Sequence, residues 1–251
     1  MKFTKLSLVA ILAVSAAFAA DNGKVSGDAR LYYGTTTDDT ASPKQDLFGK
    51  ANSIGDVAAR VDYTRSLMGG ALTLNTGLQG LSTLGLESEL VGGTWVGHGA
   101  GAVQDAYWID TFNAQIQLRK NVTVTIGRQA LDTPFFFTET WNIAKNTFDA
   151  VVATNSDLPK TTLVAAWVGR GNGSPGKVVQ VNNTDINGGM HTFGGKPAYA
   201  FAAVTKLIPN TVTQAWYYKV PGAATAYWAQ ADSNVAGVDL GVQYAGTELT
   251  A

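Results

Sequence analysis

The stretch Val25-Ser26-Gly27-Asp28-Ala29-Arg30-Leu31-Tyr32-Tyr33 alternates: Val25, Gly27, Ala29, Leu31 and Tyr33 share one parity, Ser26, Asp28, Arg30 and Tyr32 the other. Side chains of a strand point to its two faces in turn, so this stretch presents one apolar side and one charged side. A helical period of about 3.6 residues does not fit it.

The same alternation recurs downstream. In 57–63, Val57, Ala59, Val61 and Tyr63 interleave with Ala58, Arg60 and Asp62; in 72–78, Leu72, Leu74 and Leu78 interleave with Thr73, Asn75 and Gly77. Weaker copies occupy 106–118, 122–129, 146–154, 161–168, 199–207, 211–219, 225–231 and 238–244, which makes eleven predicted strands. The run Leu163-Val164-Ala165-Ala166-Trp167-Val168 is apolar on both faces. In a barrel, that implies a strand whose inner face is covered by a folded-in loop or by packed side chains.

The connections fall into two classes. Segments 66–70, 119–121, 155–159 and 208–210 are short and use Gly, Asn, Asp and Pro as turn residues. Segments 37–52, 82–105, 130–145 and 169–197 are long, and the short link 221–224 is the exception on the long side. Short turns at one end and long loops at the other are the layout of a transmembrane antiparallel up-and-down β-barrel of the bacterial outer membrane. The expected fold class is therefore all-β.

The first residues read differently. Lys2 and Lys5 precede the apolar stretch 6–14, and small residues follow, ending Ala17-Phe18-Ala19. A charged start, a short apolar middle and an A-x-A exit describe a secretory signal peptide, with cleavage expected after Ala19. Residues 1–19 are thus expected to be the signal and 20–251 one barrel domain. No later apolar run approaches the roughly 18 residues of a spanning helix, whereas barrel strands need only about 9 to 11.

Without Lys2 and Lys5 the chain carries 16 basic residues against 19 acidic ones, a net charge of −3. Nucleic acid is not an expected partner, because it demands a clustered basic surface. Cysteine is absent, so disulfides and thiol chemistry play no part.

If the apolar faces meet lipid, the opposite faces meet water. Asp28, Arg30, Arg60, Asp62, Asn75, Gln79, Gln115, Gln117 and Gln129 are then the candidate pore-lining residues, and rings of charge among them would bias which ions pass. Arg128 has the outward parity of Val122, Val124 and Ile126, so it must lie beyond lipid at the strand end or be turned inward by a bulge. Tyr32, Tyr33, Tyr63, Tyr107, Trp108, Trp141, Trp216, Tyr217, Tyr218, Tyr227 and Trp228 cluster near predicted strand ends, as interfacial aromatic girdles do. The loop segment Asp132-Thr133-Pro134-Phe135-Phe136-Phe137-Thr138-Glu139-Thr140-Trp141 carries four aromatics too costly to leave in water. Phe135, Phe136, Phe137 and Trp141 are expected to pack into the barrel mouth or on a neighbouring protomer, and in the first case to constrict it.

Enzymatic signatures are weak. His98 and His191 lie among loop glycines without metal-ligand spacing, so no metal or other cofactor is expected. The stretches 97–101 and 169–173 are glycine-rich but lack the Walker and dinucleotide spacings. There is no G-x-S-x-G elbow, and no catalytic residue is nominated.

Four stretches carry a family resemblance: Val25 to Tyr33 as quoted above, Ser82-Thr83-Leu84-Gly85-Leu86, Ile126-Gly127-Arg128-Gln129-Ala130-Leu131-Asp132-Thr133-Pro134, and Trp141-Asn142-Ile143-Ala144-Lys145-Asn146-Thr147-Phe148. Together they resemble the OprD-type outer-membrane porins, particularly those of epsilonproteobacteria, from the mature N-terminus to about Gly173. The resemblance implies monomeric or trimeric barrels that pass small nutrients, often amino acids or other carboxylates, along a basic ladder. Here Arg30 and Arg60 are the two arginines at inward positions of well-formed strands, so a full ladder is not supported. It also implies a final strand ending in an aromatic residue, whereas this chain ends Leu249-Thr250-Ala251. Porin barrels of this kind have an even strand number of about 16 to 18. Eleven strands lead to the expectation of a C-terminally truncated fragment, near two thirds of the natural length.

The resulting expectation is a porin in the outer membrane of a Gram-negative bacterium, reached by Sec-type export. It would allow passive diffusion of small hydrophilic solutes or ions, with outer-membrane lipid as its surroundings and a homotrimer as one assembly. The alternatives are a secreted or surface β-sandwich adhesin or structural protein, with apolar faces paired sheet on sheet, and a barrel lipase or protease with a nucleophile and base at its rim.

Overall fold

The computed structural model describes residues 23–37, 39–40, 46–94, 105–172 and 188–250. The predicted signal peptide with Ala19, and His98 within the glycine-rich stretch 97–101, lie outside the described residues. Eleven strands follow one another: β1 (Lys24–Thr35), β2 (Ser53–Leu67), β3 (Leu72–Ser82), β4 (Asp105–Arg119), β5 (Val122–Gln129), β6 (Phe148–Asn155), β7 (Thr161–Gly171), β8 (Ala198–Thr205), β9 (Thr211–Val220), β10 (Ala224–Val235) and β11 (Val238–Leu249).

Each strand pairs antiparallel with the next, so the sheet order is simply β1 to β11. That is an up-and-down meander. It is one sheet rather than two stacked ones, which removes the basis of the sandwich reading. β2 and β4 each run 15 residues, longer than the predicted 57–63 and 106–118.

The short turns explain how the meander reverses. Consecutive residues take positive φ in both turns, 54°, 64° and 95° at Met68-Gly69-Gly70 and 52° and 85° at Ala236-Gly237. This is the backbone of a hairpin turn whose twist matches the flanking strands. Lys160 and Asn210 take φ of 54° and 55° just before β7 and β9. The Ala236-Gly237 turn was not anticipated from sequence, because its neighbours lack the usual Asn-Gly signature. Asn234 supplies the missing stabilisation from two positions upstream, its Oδ1 accepting from the Gly237 N–H at 3.2 Å.

Three irregularities break the ladder. The register shifts between Gly77 and Leu78 against β4, leaving Asp110 as the extra residue; near Gln117, leaving Leu118; and near Asp149, leaving Gly169. A bulge changes which face the following side chains occupy.

The two faces differ in what covers them. One face of β6–β9 carries Phe148, Ala150, Ala166, Val168, Ala198, Ala200, Trp216, Tyr218 and Val220, all buried, with Leu131, Phe136 and Phe193 of the long connections laid over them and Ala226 and Trp228 of β10 packed alongside. This is the inner face. Each fully buried large apolar side chain there is worth about 1.5–3 kcal/mol. The other face leaves Leu31, Tyr107, Ile109, Phe112, Ile126, Leu163, Trp167, Phe201, Leu240, Val242 and Tyr244 exposed. An apolar belt of that extent is the lipid-facing surface of a membrane barrel. The doubly apolar 163–168 run thus has its inner half, Val164, Ala166 and Val168, in or against the packed cluster.

The girdle assignment needs correction. Tyr32, Trp108, Trp216, Tyr218 and Trp228 belong to, or pack against, the inner clusters, so they are not girdle residues. Consecutive residues of a strand point oppositely, so in pairs such as Trp216-Tyr217 and Tyr227-Trp228 only one ring can meet lipid. Tyr33, Tyr107, Tyr217 and Tyr227 are the outward ones, all exposed.

Candidate functional site

The residues 130–147, between β5 and β6, fold over the inner face and touch both ends of the sheet. At one end Phe135 packs edge-on against Tyr218 of β9, centroids 5.0 Å apart, and against Trp228 of β10 at 5.8 Å. Phe136 lies against Phe148, Phe193 and Tyr218 at 6.1, 5.1 and 5.6 Å. At the other end Arg30 of β1 donates to the carbonyl of Thr140 at 2.9 Å and to that of Asn142. Ile143 and Ala144 pack with Ala58, Leu81 and Trp108 on β2, β3 and β4. A segment that reaches β10 and β1 at once requires the sheet to curl around it.

The connection holds its shape by internal bonds. Thr133 Oγ1 accepts from the Phe136 N–H at 3.0 Å and donates to the Phe136 carbonyl at 2.9 Å. The buried Asn146 accepts from the Glu139 N–H at 2.7 Å and donates to the Phe137 carbonyl at 2.9 Å. These bonds make it a built element rather than a loose link.

Beneath it lies a network of ion pairs on β1–β4. Arg30 Nε is 2.9 Å from Asp28. Arg60 pairs with Asp62 within its own strand, and its Nε is 2.7 Å from Asp110 Oδ2. Lys145 of the connection brings its Nζ to 3.6 Å from the same Asp110 oxygen. Asp110 is fully buried. Gly77 is opposite, where a Cβ would collide with the Asp110 carboxylate and stand 2.7 Å from Asp62 Oδ1, so any larger residue would displace both carboxylates. Burial holds the Lys145 ammonium below its ordinary value of 10.5; Arg60 acts in the same sense, and the Asp110 and Asp62 carboxylates oppose the shift.

A polar ladder continues along the same face. Thr64 donates to Asn75 at 2.9 Å, Asn75 to Asn113 at 2.9 Å, and Asn113 to the Arg128 carbonyl at 2.9 Å. Gln79 is buried with its amide on the Gly80 and Ala59 carbonyls, and Gln129 lays its amide on the Thr125, Gly127 and Ala150 carbonyls. Gln115 and Gln117 are exposed, Gln117 bonding the carbonyls of Arg119 and Lys120 at the turn. Further round, Gln214 donates to Gln230 at 3.0 Å, and Gln230 to Asp232 at 2.6 Å.

The nine polar residues nominated from sequence therefore lie on the inner side, but unequally: Asp28, Arg30, Arg60 and Asp62 form the network, Asn75 joins the ladder, and Gln79 and Gln129 are folded against the wall. Of the four loop aromatics, Phe135 and Phe136 pack, whereas Phe137 and Trp141 are 38% and 68% exposed. Asp110, Asn113 and Lys145 were missed. Uninterrupted alternation from Gln115 and Gln117 sends Asp110 to the lipid side, and the bulge reverses it.

Arg128 keeps its outward parity. It sits one residue before the end of β5, opposite Phe112 and Asp149, with Nε 2.8 Å from Asp149 Oδ1 and Nη1 donating to the Ile109 carbonyl at 2.8 Å. Arg170 joins the same carboxylate at 2.6 Å. Among the described residues, His191 exchanges backbone hydrogen bonds with Gly171, at 2.9 and 2.8 Å.

No protein-family model and no curated protein matches the chain. Solved structures do. OccK1 (OpdK) of Pseudomonas aeruginosa aligns with a TM-score of 0.66 and 12% identity, over 89% of this chain and 56% of its own. OccK9 (OpdG) of the same organism aligns at 0.66 and 12%, over 91% and 59%, and OccK8 (OprE) at 0.61 and 14%, over 90% and 54%. The chain spans a little over half the length of these proteins. Its eleven-stranded meander, with a folded-in connection and a lipid-facing apolar belt, has the fold of the OprD/Occ outer-membrane β-barrel porins.

Proposed function

We propose that this chain forms wall and constriction of a water-filled diffusion channel in the outer membrane, through which small hydrophilic solutes or ions pass passively. The observation that carries this reading is the 130–147 connection, tied to β9 and β10 by Phe135 and to β1 and β4 by Arg30 and Lys145. An element anchored at both sides of a curled sheet narrows the space it crosses. The charges and amides on β1–β4 hydrate that space, and the exposed apolar belt on the opposite face supports lipid as its surroundings.

No catalytic step is part of this reading. Export through the inner membrane by the N-terminal signal, with cleavage after Ala19, belongs to it. So does kinship with the porins of epsilonproteobacteria and assembly as a homotrimer. One OpdK structure was determined with vanillate and one of OccK2 (OpdF) with glucuronate, so small organic solutes, charged and uncharged, are the first to test.

The test is reconstitution of the full-length gene product, extracted from outer membranes in detergent, into a planar bilayer. Discrete conductance steps and heat-modifiable gel migration are the expected results. Recovery as a detergent-free soluble protein without conductance overturns the reading.

A further inference from the structure

We infer that Asp110 is a selectivity-setting residue of the channel: it engages Arg60 and Lys145 at the constriction, so that the passage favours cations and uncharged polar solutes over small anions. The inference rests on the channel reading above and adds the sign of its preference.

Three cations face the constriction from the described residues: Arg30, Arg60 and Lys145. Each is held by a carboxylate, Arg30 by Asp28 at 2.9 Å, Arg60 by Asp62 and Asp110, and Lys145 by Asp110 at 3.6 Å. Arg30 also places its Nη1 on two carbonyls of the connection. A passing carboxylate would have to compete with partners already in place. Asp232 on β10 adds a further carboxylate to this side of the sheet. Among the described residues the inner wall therefore presents its cations already paired and carries more carboxylates than cations, the arrangement that draws cations into a pore.

Asp110 is the hinge of this balance because it serves two cations from two different elements. The bulge between β3 and β4 delivers it to the inner face, and Gly77 leaves the room it occupies. Without the carboxylate, Arg60 and Lys145 lose their shared counter-ion. Asp110 itself is fully buried, so it acts through these two side chains and is a positioning residue rather than a contact for solute.

The experiment is the zero-current potential of the full-length protein in a planar bilayer under a potassium chloride gradient. Wild type is expected on the potassium side of zero. Asp110→Asn is expected to move toward the chloride side and Asp110→Glu to return toward wild type. Lys145→Met, which removes one of the cations, is expected to move further to the potassium side. A wild-type potential on the chloride side, or an unchanged potential in Asp110→Asn, overturns the inference while leaving the channel reading intact. If Asp110→Asn does not assemble, Lys145→Met carries the test, and an unchanged potential there overturns it. Absence of any conductance in wild type removes the channel reading instead.

Discussion

Phe135 and Trp228 meet edge-on, centroids 5.8 Å apart with planes at 86°, although one belongs to the connection after β5 and the other to β10. The contact closes a path of 93 residues along the chain and marks where the connection is pressed to the far wall. Edge-to-face pairs of this kind contribute about 0.5–1.5 kcal/mol beyond the area they bury.

Phe136 is the deeper anchor of the pair, at 4% exposure among Phe148, Phe193 and Tyr218. Phe136→Ala is expected to cost about 3–5 kcal/mol as a buried large-to-small change. Phe135→Ala, at a half-buried position, should cost less but release the connection locally. Single-channel recording should then show larger conductance steps for Phe135→Ala, and a lowered temperature of heat-modifiable unfolding for Phe136→Ala. Conductance in Phe135→Ala equal to wild type would argue that the connection does not limit the passage.

Arg30 pins the opposite end through the Thr140 and Asn142 carbonyls. Hydrogen bonds to charged groups are worth about 1.5–3 kcal/mol, less where solvent reaches them. Arg30→Gln is expected to leave the barrel folded and make its open-channel current noisier, because the 140–142 stretch loses its tether to β1. Quiet traces indistinguishable from wild type would contradict that role.

On the lipid-facing side, Asp149 holds both Arg128 and Arg170. Asp149→Asn should lower the unfolding temperature of the compact form by leaving Arg128 without its counter-ion near an apolar belt. The cost is on the order of 1–3 kcal/mol. Arg128→Leu in the same background should recover most of it, since Val122, Val124 and Ile126 share that face. Failure of the second change to rescue the first would place the cost elsewhere.

Lys145 gives a pH signature. Its folded-state pKa lies below 10.5 because of burial, with Arg60 acting in the same sense and Asp110 and Asp62 opposing. Below the folded value the charged ammonium is held in both states, and the burial penalty is fully present. Between the folded value and 10.5 the unfolded chain binds more protons, so stability rises with pH and levels off above. The stability of wild type relative to Lys145→Met should therefore increase through the alkaline range. A pH-independent difference between the two proteins would refute it.

The alternation at Val25 to Tyr33 and its repeats was enough to place eleven strands, and the described residues form eleven with the same order of short and long connections. A period of two is a local property, legible wherever one face meets water and the other does not. The turn at Ala236-Gly237 was not legible, since its positive φ at an alanine is sustained by Asn234 and the paired strands. The nominated polar residues on β1–β3 share one face of the sheet for the same local reason.

The sequence by itself determined the meander, the apolar and polar faces and the presence of an aromatic loop, because each depends on neighbours within a few residues. Only the tertiary structure decided where that loop lands and what it brings with it. Asp110 reaches the inner face through one extra residue against β3, a register shift that parity counted along β4 cannot reveal. Lys145 finds Asp110, and Phe135 finds Trp228, because the sheet curls. Curvature is a sum of twists and bulges over many strands, and no single stretch of chain encodes it.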